Sequence, residues 1–142
     1  LTLALGELRE LARGIHPAVL TDRGLATALE TLASRAPVPV ELARLPDERL
    51  PAAVELAAYF VVAEGLTNVA KYADATQATV GIVRENGRLV VEVSDDGVGG
   101  ADPEHGTGLR GLADRLAVLE GRLEIDSERG RGTTIRARIP CE

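Results

Sequence analysis

The sequence predicts an α/β domain of the α+β kind, a mixed sheet covered by helices on one face. Three observations predict it. Helical stripes and two-residue alternation share the 142 residues, the alternating runs form two hairpins, and helical stretches separate them. A chain of this length makes one domain and can bury roughly two-thirds of its unfolded surface. Hydrophobic residues make up 45% and charged residues 27%, a soluble globular composition.

The elements follow in order. Leu1, Leu5, Leu8, Leu11 and Ile15 step by three and four, which predicts a helix ending at His16-Pro17. A second helix is expected over 23–36, with Leu25, Ala28, Leu29 and Leu32 on one face and Pro37 and Pro39 beyond it. Residues 38–45 suit a short strand. Pro51 suits the first turn of a long helix over 52–72. Alternation then marks a strand from Ala78, and Asn86-Gly87 turns it into a return strand over 89–93 that ends at Ser94-Asp95-Asp96. A glycine-rich loop leads to a helix over 109–120, with Gly121 as its stop. Strands over 123–126 and 133–139 close the chain.

Composition excludes several functions. The net charge of −6 argues against a nucleic-acid partner, and three aromatic residues (Tyr59, Phe60, Tyr72) cannot build stacking platforms. No apolar run reaches the ~20 residues of a membrane span. A single cysteine, Cys141, excludes a disulfide framework and a cysteine-built metal site, and it fits a reducing, cytoplasmic setting. The chain has no Met and starts inside a helical pattern, so it is expected to be a piece of a longer protein.

Chemistry concentrates in two places. On the long helix, Glu64, Asn68 and Lys71 fall on one narrow stripe, with Val62, Leu66, Val69 and Ala73 on the opposite side. Lys71 is the only lysine of the chain. An ammonium neutralises phosphate as a point charge, and Glu and Asn oxygens suit Mg²⁺. The second place is Asp95-Asp96-Gly97-Val98-Gly99-Gly100 with Gly106-Thr107-Gly108-Leu109-Arg110-Gly111, where six of the fifteen glycines cluster. Such glycine density lets backbone approach a ligand, and the second run opens a helix whose first N–H groups attract anions. An Asp at a strand end accepts from a ligand amine. Gly106 to Gly111 also imitates a dinucleotide fingerprint, with Asp126 twenty residues on. No buried strand runs into it and no repeated βαβ unit surrounds it, so that reading is rejected.

Together these residues resemble the catalytic ATP-binding domain of two-component sensor histidine kinases, within the GHKL ATPase superfamily. Glu64-x-x-x-Asn68-x-x-Lys71-Tyr72 resembles the N box, Asp96-Gly-Val-Gly99 the G1 box and Gly106-x-Gly108-Leu-x-Gly111 the G2 box. Gly130-Arg-Gly132-Thr133 resembles the later Gly-Thr element. The short G1–G2 spacing and the phrase Gly-Leu-Ala-Asp-Arg-Leu resemble the nitrate-sensor and desaturase-thermosensor branch. Four motifs in order run from Glu64 to Thr133, and Tyr72 departs from the family's usual His.

The resemblance implies a two-layer α/β sandwich, the Bergerat fold, with ATP between the long helix and the sheet. It implies Asn68 as the Mg²⁺ ligand, Glu64 as the group that positions or polarises the attacking atom, and Lys71 on phosphate. It implies Asp96 as acceptor from the adenine amine and Thr133 as its support. Gly97, Gly99, Gly106, Thr107, Gly108 and Leu109 would line the nucleotide. Residues 1–16 resemble the tail of a dimerisation helix and its junction, and 17–142 the catalytic domain. No acceptor-histidine motif is present, since His16 sits at a helix break and His105 in the glycine-rich loop. The implied function is donation of the ATP γ-phosphoryl to a His on an upstream dimerisation helix, for relay to a response regulator. The parent would be a homodimer that can be membrane-anchored, and this piece alone would not label itself. An anti-sigma-factor serine kinase and a nucleotide-binding interaction module are the alternatives.

Overall fold

A computed structural model describes residues 18–46, 48–70, 74–99 and 107–141. The first predicted helix, the boundary at His16-Pro17, and Lys71, Tyr72, His105 and Gly106 lie outside the described residues. The order is α1 (Ala18–Arg23), α2 (Leu25–Ser34), β1 (Val40–Arg44), α3 (Ala52–Asn68), β2 (Ala78–Glu85), β3 (Arg88–Asp95), α4 (Thr107–Val118), β4 (Arg122–Ser127) and β5 (Thr133–Pro140).

The five strands form one mixed sheet in the order β1-β2-β3-β5-β4. β1 runs parallel to β2, and the other neighbours pair antiparallel. Alternation sets the faces: Ala78, Val80 and Ile82 of β2, Leu89, Val91 and Val93 of β3, and Ile135, Ala137 and Ile139 of β5 are all buried. The helices cover this one face, as the sequence predicts. The opposite face carries a ladder of charge, with Arg136 of β5 directly between Glu92 of β3 and Glu124 of β4. In the turn between β2 and β3, Asn86 and Gly87 take φ of 53° and 74°. A tight two-residue hairpin needs positive φ at both positions, and Asn-Gly supplies it cheaply.

Two helical predictions need correction. The helix expected over 23–36 spans only Leu25–Ser34, as α2; a short helix that the sequence reading did not include, α1, precedes it, and Gly24 with φ 87° separates the two. Glycine inside a helical pattern costs too little to announce a break. Here the stem of Arg49 lies 3.2 Å from where a Cβ at Gly24 would stand. Arg49 crosses to the carboxylate of Glu55, which is 2% exposed and also accepts the Leu50 amide. That bracket ties the α2 start to the α3 start and leaves no buried charge unpaired. The helix predicted over 109–120 runs two residues earlier, from Thr107 to Val118.

α3 is apolar nearly all round: Ala57, Ala58, Tyr59, Phe60, Val61, Val62, Ala63 and Leu66 are buried. Such a helix belongs inside, and α3 lies between the sheet, α2 and α4. Among the described residues no helix is long and apolar enough to cross a membrane.

Candidate functional site

The packing of α3 onto β3 fixes everything else. An ideal Cβ at Gly65 would stand 2.9–3.1 Å from the Val93 side chain, so only glycine permits this approach. Glu64 and Asn68 flank that contact on α3, half-buried and one turn apart. At that end Asp95 pairs directly with Thr133 of β5, on the side that faces the helices. Thr133 is 8% exposed, and its Oγ1 lies 2.7 Å from Ser127 Oγ. Asp95 is half-buried, and its Oδ1 accepts the Gly97 amide at 2.8 Å.

The loop after β3 is held by backbone contacts. Gly130 N–H donates to the Val98 carbonyl at 2.7 Å. Gly99 has φ 70°, and a Cβ there would overlap the Glu128 carbonyl oxygen; one at Gly132, φ 77°, would overlap that of Asp95. Two glycine-bearing turns therefore lie backbone on backbone and make one wall of the site.

Asp96 is differently occupied from the expected adenine acceptor. It is exposed, one residue past the strand and off the helix-facing side. Its carboxylate accepts the Thr76 hydroxyl, the Thr76 amide at 2.8 Å and the Gln77 amide at 3.1 Å. The Thr76 hydroxyl, followed by the two amides, holds this carboxyl below the usual range. A depressed carboxyl pKa keeps the clasp intact at neutral pH, and it opens only as pH falls through that lowered value, beneath the ordinary aspartate range. Asp96 thus fastens the connection after α3 to the loop after β3.

Asp95 is a further candidate, which the sequence reading did not single out. Its signal was available: Leu89, Val91 and Val93 face the helices, and one further step of two reaches Asp95. Leu109 is 6% exposed and packs in the core, so only its backbone can meet a ligand. Thr107 opens α4, and Gly108 follows against Glu64. Among the described residues no three His, Cys, Asp or Glu gather as a metal cage. The site joins a carboxylate–amide stripe, a helix start and a polar sheet end.

The sequence model for the histidine kinase-, DNA gyrase B- and HSP90-like ATPases matches residues 53–142, from the start of α3 to the end of the chain. The chain belongs to this ATPase family. It is 35% identical to the sensor histidine kinase MctS of Rhizobium johnstonii over 96% of this chain and 32% of that one. It is 32% identical to the sensor histidine kinase ComP of Bacillus subtilis over 87% of this chain and 17% of ComP. The fold matches the blue-light activated histidine kinase of Erythrobacter litoralis EL346 with a TM-score of 0.70 at 24% identity, covering 82% of this chain and 41% of that structure. The chain therefore spans a third or less of these two sensor kinases. It is an ATP-binding domain of the histidine-kinase type, with the mixed-sheet fold that the sequence predicts.

Proposed function

We propose that this chain is the catalytic domain that donates the γ-phosphoryl of ATP to a histidine on a dimerisation helix of the whole protein. In this reading the whole protein is a homodimer, and the phosphoryl passes on to a response regulator. What supports it is the pair Glu64 and Asn68 one turn apart on α3, a helix packed through Gly65 on Val93 of β3, whose next residue of the same parity is Asp95 opposite Thr133.

The base lies at the sheet end, where Asp95 accepts from the adenine amine and the Thr133–Ser127 hydroxyl pair supports it. Gly97 and Gly99 line the nucleotide through their backbone. Asp96 acts at one remove by holding the Thr76–Gln77 segment. The phosphates run toward the backbone at the start of α4, at Thr107 and Gly108, whose N–H groups and dipole favour anions. Lys71 continues the Glu64–Asn68 stripe in sequence and neutralises phosphate as a point charge.

The donor set fits Mg²⁺: the Asn68 amide oxygen is a hard ligand, and the remaining ligands come from phosphate and water, as this ion prefers. When bound, Mg²⁺ neutralises charge on the phosphate oxygens. Glu64 accepts a hydrogen bond from one imidazole N–H of the acceptor histidine and turns the other ring nitrogen toward phosphorus. The P–N bond forms as the bond from the γ-phosphorus to its bridging oxygen breaks, and ADP leaves with that electron pair.

Asn68→Ala tests this arrangement. Calorimetry should show ATP affinity falling about tenfold with Mg²⁺ present and little without it. Equal losses in both conditions would remove the metal role from Asn68.

A further inference from the structure

We propose that Gly108 is a positioning residue for Glu64, the missing side chain at 108 being what holds the carboxylate in its working place. The inference rests on the reading of Glu64 given above and adds a control on it from α4.

An ideal Cβ at Gly108 would overlap Glu64 Oε1 and stand 2.7 Å from its Cδ. The carboxylate therefore occupies the volume that any other residue at 108 would fill. Backbone conformation does not demand glycine there, because Gly108 lies within α4 and is not among the residues of positive φ. Helix propensity even opposes glycine, since alanine is the better helix former. Gly111, one turn further along the same helix, has nothing within 4 Å of its ideal Cβ. The two glycines look alike in the motif and differ in space. One is filled by a carboxylate and the other faces solvent.

Glu64 is a flexible side chain, so a methyl at 108 can turn its carboxylate aside without unfolding the domain. The cost then falls on the step that Glu64 serves. In a chain that carries the acceptor helix, Gly108→Ala should lower kcat for phosphoryl transfer by roughly tenfold to a hundredfold, as displacements near 1 Å do, a larger change than in KM for ATP. Gly111→Ala should leave both unchanged and raise the thermal midpoint slightly. Glu64→Asp retracts the carboxylate by one methylene. In that background, already slow, Gly108→Ala should cost less than about threefold, because the crowding is gone.

A readout independent of transfer is the carbon-13 resonance of the Glu64 carboxylate followed by NMR. Gly108→Ala should move it, and Gly111→Ala should not. The proposal is overturned if the resonance stays in place in Gly108→Ala. It is equally overturned if Gly108→Ala slows transfer by the same factor with Glu64 and with Asp at that position. If the resonance moves while the unaltered chain transfers nothing, the steric coupling stands and the kinase reading is what fails.

Discussion

Asp95→Ala should lower ATP affinity about tenfold to a hundredfold, the worth of a charge-assisted hydrogen bond of roughly 1.5–3 kcal/mol. It should also erase the preference for ATP over GTP, whose purine presents an acceptor where adenine has its amine. The reasoning is one of parity. Asp95 shares the helix-facing side with Val93 and stands opposite buried Thr133. Asp96 is exposed and already accepts three donors from Thr76 and Gln77. Asp96→Ala should therefore weaken ATP and GTP by similar factors, through loosening of the segment it fastens. Titrations of both nucleotides against both variants decide the assignment. If Asp96→Ala removes the preference and Asp95→Ala keeps it, the base is read by Asp96.

Gly65→Val should destabilise the domain by about 1–3 kcal/mol, the usual cost of overpacking a filled core. For a chain of this size that lowers the thermal midpoint by roughly 3–9 °C. The crowded neighbour is Val93, a branched side chain 2% exposed on the central strand β3, so it has nowhere to go. The helix must lift, and lifting α3 moves Glu64 and Asn68 away from Asp95. ATP affinity should fall along with stability. Val93→Ala in the same chain should restore much of both, since it vacates the volume that the new side chain needs. A Gly65→Val midpoint equal to the parent's would show that α3 does not rest on β3 as described.

The pattern of apolar residues carried most of the fold. Period-two alternation in β2, β3 and β5 and the Leu25, Ala28, Leu29, Leu32 stripe of α2 appear as buried faces in the structure. The turn at Gly24 between α1 and α2 was not legible, and the side chain that fills the space beside it, that of Arg49, comes 25 residues later. Contacts of that kind leave no local trace. In the site, Glu64 and Asn68 could be placed on one stripe because a helix fixes their spacing. Asp95 and Asp96 are neighbours of the same chemistry, and the alternation of Leu89, Val91 and Val93 carried one step further is the signal that separates them. Gly108 and Gly111, by contrast, cannot be told apart in sequence, since the carboxylate between α3 and α4 belongs to another element.

The proposed passage of a phosphoryl group from ATP to histidine has one direct test. The direct measurement supplies γ-labelled ATP and Mg²⁺ to this chain together with a separate helical segment that bears the acceptor histidine. Transfer should label the segment through a bond that acid destroys and alkali spares, and the chain alone should bind ATP without taking up label. Label that survives acid, or ATP binding with no transfer to any acceptor segment, would contradict the account.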